Sequence, residues 1–245
     1  MSKDFHDLVI NLLGGVLVAV LDRLIIFLNA KFKSFKFKQI FGNDLSNFNL
    51  VYGKMVLKPQ YVRQDKFPYL KPSTNKQFSI NNPVSFAETR AASYMSESFS
   101  KFINKNPQLI SDDEVKNNPD ISYCSLGGYD NFKTIEIIES IQNEFLEFNL
   151  QGSGSIVNKK DKKHVYKVDG TYDYAVVIKI KHRLFPNRTH ICVAGLGEWG
   201  TSGGTWFLAN KWKELQKKVG DKNFGAVIKI KGGTDKLAEL VEIIK

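Results

Sequence analysis

At 245 residues the chain is long enough for one sizeable domain with an appendage, and 42% hydrophobic and 12% aromatic content exclude wholesale disorder. Two cysteines, Cys124 and Cys192, exclude a disulfide scaffold and suit a reducing cytoplasm. The net charge of +10 is uneven, −1 over residues 1–30, +8 over 31–81, −6 over 82–148 and +9 over 149–245, which points to a basic neck and a basic C-terminal face rather than a uniformly basic nucleic-acid binder.

Residues 8–28, "LVINLLGGVLVAVLDRLIIFL", match the ~20 residues that cross a bilayer as a helix. Asn11 and the Asp22–Arg23 pair are the flaws, and Arg23 is placed to snorkel. The following neck (31–44) sets Lys31, Lys33, Lys36 and Lys38 among Phe32, Phe35 and Phe37, as a membrane–cytoplasm interface favours. The expectation is a single-pass anchor (1–30), N-terminus outside, with a cytoplasmic body over 45–245. A buried amphipathic helix is the alternative, while lysines crowding the would-be cleavage site disfavour a secretory signal. Adjacent helical residues do not face each other, so Asp22 meeting Arg23 of a neighbour predicts a homo-oligomer, helped by Gly14 and Gly15; a pair lying at the interface is the plainer reading.

In the body, "LVYGKMVL" (50–57) predicts a strand, followed by an irregular excursion bearing Pro59, Pro68, Pro72 and Pro83. "SFAETRAASYMSESFSKFI" predicts a helix with Ser85 and Glu88 as a capping box, and Ser111 and Glu114 repeat that signal. "ISYCSLGGYDNFKTIEIIESIQNEF" reads as strand, glycine turn and helix. Residues 148–183 predict an antiparallel element, "YAVVIKIKHR" and "THICVAGLG" strands, and "TSGGTWFLANKWKELQKK" a helix. "FGAVIKIKGG" predicts another strand and "TDKLAELVEIIK" a closing helix capped by Thr234. This alternation predicts an α/β Rossmann-like three-layer sandwich with a mostly parallel sheet, preceded by one transmembrane helix.

"VAGLGEWGTSGGTWF" (193–207) satisfies three patterns at once. As a nucleophile elbow it fails, because Ser202 lies too far past the strand and no histidine follows His190. As a P-loop it carries Thr201 where lysine must reach the phosphates. As a dinucleotide fingerprint it follows a strand and opens a helix, yet the expected acid about 20 residues on is missing. The shared content is a glycine turn before a helix N-terminus, which aims N–H groups and a positive dipole end at one point. "SLGGYDN" repeats it. The predicted ligand site is therefore Ser125, Gly127, Gly128, Asn131, Gly195, Gly197, Trp199, Gly200, Thr201 and Ser202, with an anionic, nucleotide-type ligand. Tight turns and close helix packing are the structural alternative.

These turns and the order of elements loosely resemble Rossmann-like nucleotide-binding and nucleotide-processing domains. The layout, one anchor and one cytoplasmic sensor, resembles membrane-anchored bacterial defence effectors. His6, His164, His182 and His190 are scattered and no spacing suits zinc, so no metal is predicted. Glu198, inside the glycine loop, is the candidate catalytic carboxylate; Glu88 is a second candidate that its capping box already explains, and Asp130 is explained by a helix start. Three functions stay open: a membrane-anchored nucleotide sensor signalling to an oligomeric helix, a tethered nucleotide hydrolase or N-glycosidase, and a non-catalytic lipid or nucleic-acid module.

Overall fold

The computed structural model describes residues 3–55, 69–71, 76–78, 84–149, 154–162 and 165–245, excepting the side chains of 3–14, 69–71 and 76–78. Pro59, Pro68, Pro72 and Pro83 lie outside the described residues.

The first element, α1 (Lys3–Phe41), is one helix of 39 residues, roughly 58 Å long at 1.5 Å per residue. The anchor and neck segments thus run on without a break, because no proline interrupts them. Gly42 ends the helix at φ +99°, its N–H donating to the Lys38 carbonyl at 2.8 Å. Apolar side chains from Val16 to Leu28 are exposed, whereas Phe37, Ile40 and Phe41 are wholly buried in the body. Among the described residues no helix is long and apolar enough to cross a membrane.

The body follows as β1 (Phe48–Tyr52), a small hairpin β2 (Tyr69–Lys71) and β3 (Lys76–Phe78), α2 (Phe86–Ile103), β4 (Gln108–Ser111), α3 (Asp112–Val115), β5 (Ser122–Leu126) and α4 (Phe132–Ile138). Then come β6 (Leu146–Asn149), β7 (Ser155–Asn158), β8 (Val165–Tyr166), β9 (Tyr172–Lys181), β10 (Thr189–Gly195), α5 (Gly200–Val219), β11 (Phe224–Lys231) and β12 (Glu239–Ile244). Seven strands form the central sheet in the order β12-β11-β9-β10-β5-β1-β4. β4, β1, β5 and β10 pair in parallel, while β9 runs antiparallel between β10 and β11, and β12 antiparallel to β11. Five of the seven strands therefore point one way. The fold is mixed α/β with a mostly parallel sheet.

Alternate residues of each strand feed opposite faces. Ala175, Val177, Ile191, Val193, Ala226 and Ile228 face the layer of α2, α5 and the base of α1. Val176, Ile178, Cys192, Ala194 and Val227 face α4 and the small antiparallel sheet β6-β7-β8. Both faces being covered, the strands read as continuous apolar runs. Cys124 and Cys192 are free, buried thiols within them.

Three expectations are corrected. Residues 234–245 form a short 3-10 turn (Asp235–Leu237) and β12, not a helix. Leu240 and Ile243 stand three apart, and a register shift in the β11–β12 pairing inserts one residue between them and brings both onto the same side of the strand. The helix expected through Phe145 stops at Ile138, where Asn143 Nδ2 donates to the Ile138 and Leu146 carbonyls, both at 2.8 Å. The Ser85–Glu88 capping box does not close: Ser85 is the N-cap of α2, but its side chain makes no capping bond. The Ser111–Glu114 box is present in full.

Candidate functional site

In this sheet α4 leaves β5 on one face, while α2, after β1, and α5, after β10, lie on the other. Where neighbouring parallel strands send their helices to opposite sides, a crevice opens over their carboxyl ends. Here the crevice is a cleft of about 310 Å³ lined by Ser85, Phe86, Ala87, Glu88, Arg90, Gly127, Gly128, Asp130, Gly195, Gly197, Glu198 and Thr201. The two glycine turns meet there, and the Gly127 N–H donates to the Val193 carbonyl at 3.1 Å.

Gly127 has φ +106°, and a Cβ there would overlap the Glu88 carboxylate while standing 3.5 Å from Asp130 Oδ1. Glycine is required both by the conformation and by the two carboxylates closing over it. Glu88 is only 3% exposed, and its Oε2 has no hydrogen-bond partner among the described residues. Burial, reinforced by the negative charges of Asp130 and Asp112, pushes its carboxyl up to about 8 against the pull of the Gly53 and Ser85 N–H groups. At neutral pH it is chiefly the protonated acid, able to donate as well as accept.

The other turn is organised from within. Asp173, on β9, is 4% exposed and accepts four backbone N–H bonds. Oδ1 accepts from Tyr174 at 2.7 Å and Gly197 at 3.0 Å, Oδ2 from Trp199 at 2.9 Å and Gly200 at 2.7 Å. Four donors and no bonded acceptor define a carboxylate, held against a burial penalty that raises its pKa. Three N–H groups of the glycine loop therefore serve an internal anion at the start of α5. Gly195 and Gly200 touch so closely that a Cβ on either would overlap the other's backbone.

Of the residues predicted for the site, Gly127, Gly128, Gly195, Gly197, Thr201 and Glu198 line the cleft, with Glu198 exposed at its rim. The other five serve its frame. Ser125 is fully buried, accepting from Thr134 Oγ1 at 2.9 Å. Asn131 caps α4 through Oδ1, and its Nδ2 ties the Val51 and Leu126 carbonyls, both at 2.9 Å. Gly200 gives its N–H to Asp173. Ser202 accepts from Arg90 at 2.5 Å and donates to Asp235 at 2.7 Å. The Trp199 ring lies under the Arg90 guanidinium at 4.3 Å, with Phe86 on the same group at 5.0 Å. Arg90 also pairs with Asp235, Nε to Oδ2 at 3.2 Å.

Sequence reasoning weighed Glu88 only as a second candidate because a cap explained it, assigned Asp130 to a helix start, and did not place Arg90 or Asp173 at the site. Nothing local in "TYDYAVV" marks Asp173 as the partner of a loop 24 residues later, beyond its being an acid inside an otherwise apolar strand. No protein-family model matches the chain, no curated protein matches it, and no solved structure matches it.

Proposed function

We propose that the protein is a membrane-anchored sensor or effector whose Rossmann-like body binds a nucleotide-type ligand in the cleft and passes the bound state to an oligomeric membrane helix, α1. The observation that carries this reading is the run of α2 and α5. Both begin at the cleft, α2 with Phe86, Glu88 and Arg90 and α5 with Thr201. Both also hold the base of α1: Phe37 stacks on Phe102 at 5.3 Å and meets Phe99 edge-on at 5.2 Å and Trp212 edge-on at 5.3 Å. A ligand that draws the two helix starts together would shift the bed in which α1 is rooted. The apolar surface between Val16 and Leu28 and the lysines that follow support the anchor.

A second reading, a tethered nucleotide-processing enzyme of hydrolase or N-glycosidase type, is favoured by Glu88 alone, a buried acid protonated near neutrality and hence suited to protonate a leaving group. In that reading the acid is Glu88 rather than the rim residue Glu198. One experiment separates the two. The full chain in detergent is screened by thermal shift against nucleosides, mono-, di- and cyclic nucleotides and dinucleotide cofactors, and each stabilising compound is recovered and chromatographed. A compound that stabilises and returns intact supports the sensor. Recovery in pieces, abolished by Glu88→Gln, supports the enzyme. Stabilisation by none overturns both.

A further inference from the structure

Resting on the nucleotide reading above, we infer that the cleft takes the sugar of its ligand, recognising a vicinal diol through Glu88 and Asp130, and leaves the phosphate outside. The positive end of α5 is already occupied. Asp173 takes the N–H groups of Gly197, Trp199 and Gly200, so the place where a phosphate would sit in a glycine-turn site is filled by the protein's own carboxylate. The charged side chains lining the cleft are Glu88, Asp130, Glu198 and Arg90. Among the described residues the one cation of the lining, Arg90, bonds Ser202 and Asp235 through Nη2, pairs with Asp235 and is held between the Phe86 and Trp199 rings. A phosphate dianion here would face Glu88, Asp130 and Glu198, and among the described residues of the lining its one cation already carries an ion pair with Asp235.

A diol suits the same lining. Carboxylates accept from paired hydroxyls in bidentate fashion, and a protonated carboxyl adds a donor for the hydroxyl oxygen. Glu88, 3% exposed, keeps Oε2 without a partner among the described residues, and its other oxygen sits with Asp130 Oδ1 around the bare Cα of Gly127. Buried polar atoms in folded proteins are nearly always satisfied, so an unpaired carboxyl oxygen in a cleft wall points to a hydrogen-bonding ligand. About 310 Å³ is at the lower end of the ~300–1,000 Å³ usual for small-molecule sites, which fits one nucleoside rather than a dinucleotide.

The test is calorimetric titration of the full chain with adenosine, guanosine, cytidine and uridine, their 5′-monophosphates, the matching 2′,3′-dideoxynucleosides and inorganic phosphate. Each tight-binding nucleoside and its monophosphate should agree within about threefold, inorganic phosphate should not bind, and loss of the two hydroxyls should weaken binding about 10–100-fold, as expected for hydrogen bonds to a charged partner. Asp130→Asn, at an exposed position, should reproduce most of that loss for the nucleoside yet leave the dideoxy compound unchanged, a pattern that a merely structural effect would not give. Monophosphates binding at least tenfold tighter than nucleosides, or dideoxy compounds binding equally well, overturn the inference and leave the nucleotide reading standing. Binding by none of the panel overturns the inference, while the nucleotide reading itself falls only if the wider thermal-shift screen, with its cyclic nucleotides and dinucleotides, also finds no ligand.

Discussion

Glu88 sits where two demands conflict. As the fourth residue from Ser85 it belongs to a helix start, but its carboxyl is turned against Gly127 in a wall shared with Asp130. The conflict has a thermodynamic signature. The carboxyl moves from an ordinary 4.5 to about 8 on folding, so the folded state binds the proton more tightly than the unfolded chain does. The associated stability is fully present below pH 4.5 and is lost as pH rises through 8. His190 acts in the opposite sense, burial holding it neutral down to about 3, so it destabilises the fold as pH falls below 6.5. Glu88→Gln, which cannot ionise, isolates the first effect because His190 is common to both proteins. Urea unfolding of wild type and variant between pH 4.5 and 8 should show the variant gaining relative stability with rising pH, by at most roughly 5 kcal/mol. A constant difference across that range would show that Glu88 titrates normally.

At the scale of elements, the strand–turn–helix units were legible because their signals are local. Apolar runs such as "AVVIKI", glycines after strands and the Ser111–Glu114 box each specify their own segment. What escaped depended on partners far along the chain. β12 is a strand because β11 offers an edge and a bulge realigns Leu240 with Ile243, and Asp173 matters only once β9 lies beside β10. The division of α1 from the body is another case: charge patterning separates residues 31–44 as a neck, yet Phe37, Ile40 and Phe41 are core. Lys179, buried and lowered to about 8 chiefly by that burial, donates to the Gln39 carbonyl at 2.5 Å, and Gln216 bonds the Gln39 side chain at 2.7 Å. The body therefore includes the last turns of α1. A chain beginning at residue 31 should melt cooperatively near the full-length protein, whereas one beginning at 45 should lose several kcal/mol or fail to fold. Phe37→Ala in the full chain should cost about 3–5 kcal/mol by denaturant titration. Equal stability of the 31 and 45 starts would mean that the aromatic cluster contributes nothing.

For the whole molecule, the proposal turns on what covers the free length of α1. Val16, Leu17, Val18, Val20 and Leu21 are exposed in succession, so the apolar surface runs around the helix rather than along one stripe. A helix that is apolar all round requires burial, and under the proposed anchor its cover is lipid or further copies of itself. Asp22 and Arg23 interrupt it, both exposed, and neither can turn to the other from adjacent positions. Between neighbouring helices they can meet, and Gly15 leaves open space on one side for a close approach. Within a bilayer each charge left alone costs about 2.5–3.5 kcal/mol at mid-helix depth, so pairing across helices would bias the chain to an oligomer strongly. The expected pattern is reciprocal. Asp22→Arg or Arg23→Asp alone should shift the full chain in nanodiscs or mild detergent towards monomer, as read by light scattering and crosslinking. The double exchange should restore the wild-type assembly, because it reverses both ends of the same pair. Singles that assemble normally would place both residues at the headgroup boundary, where each is solvated separately. A double variant as dissociated as the singles would show that the residues act through something other than each other.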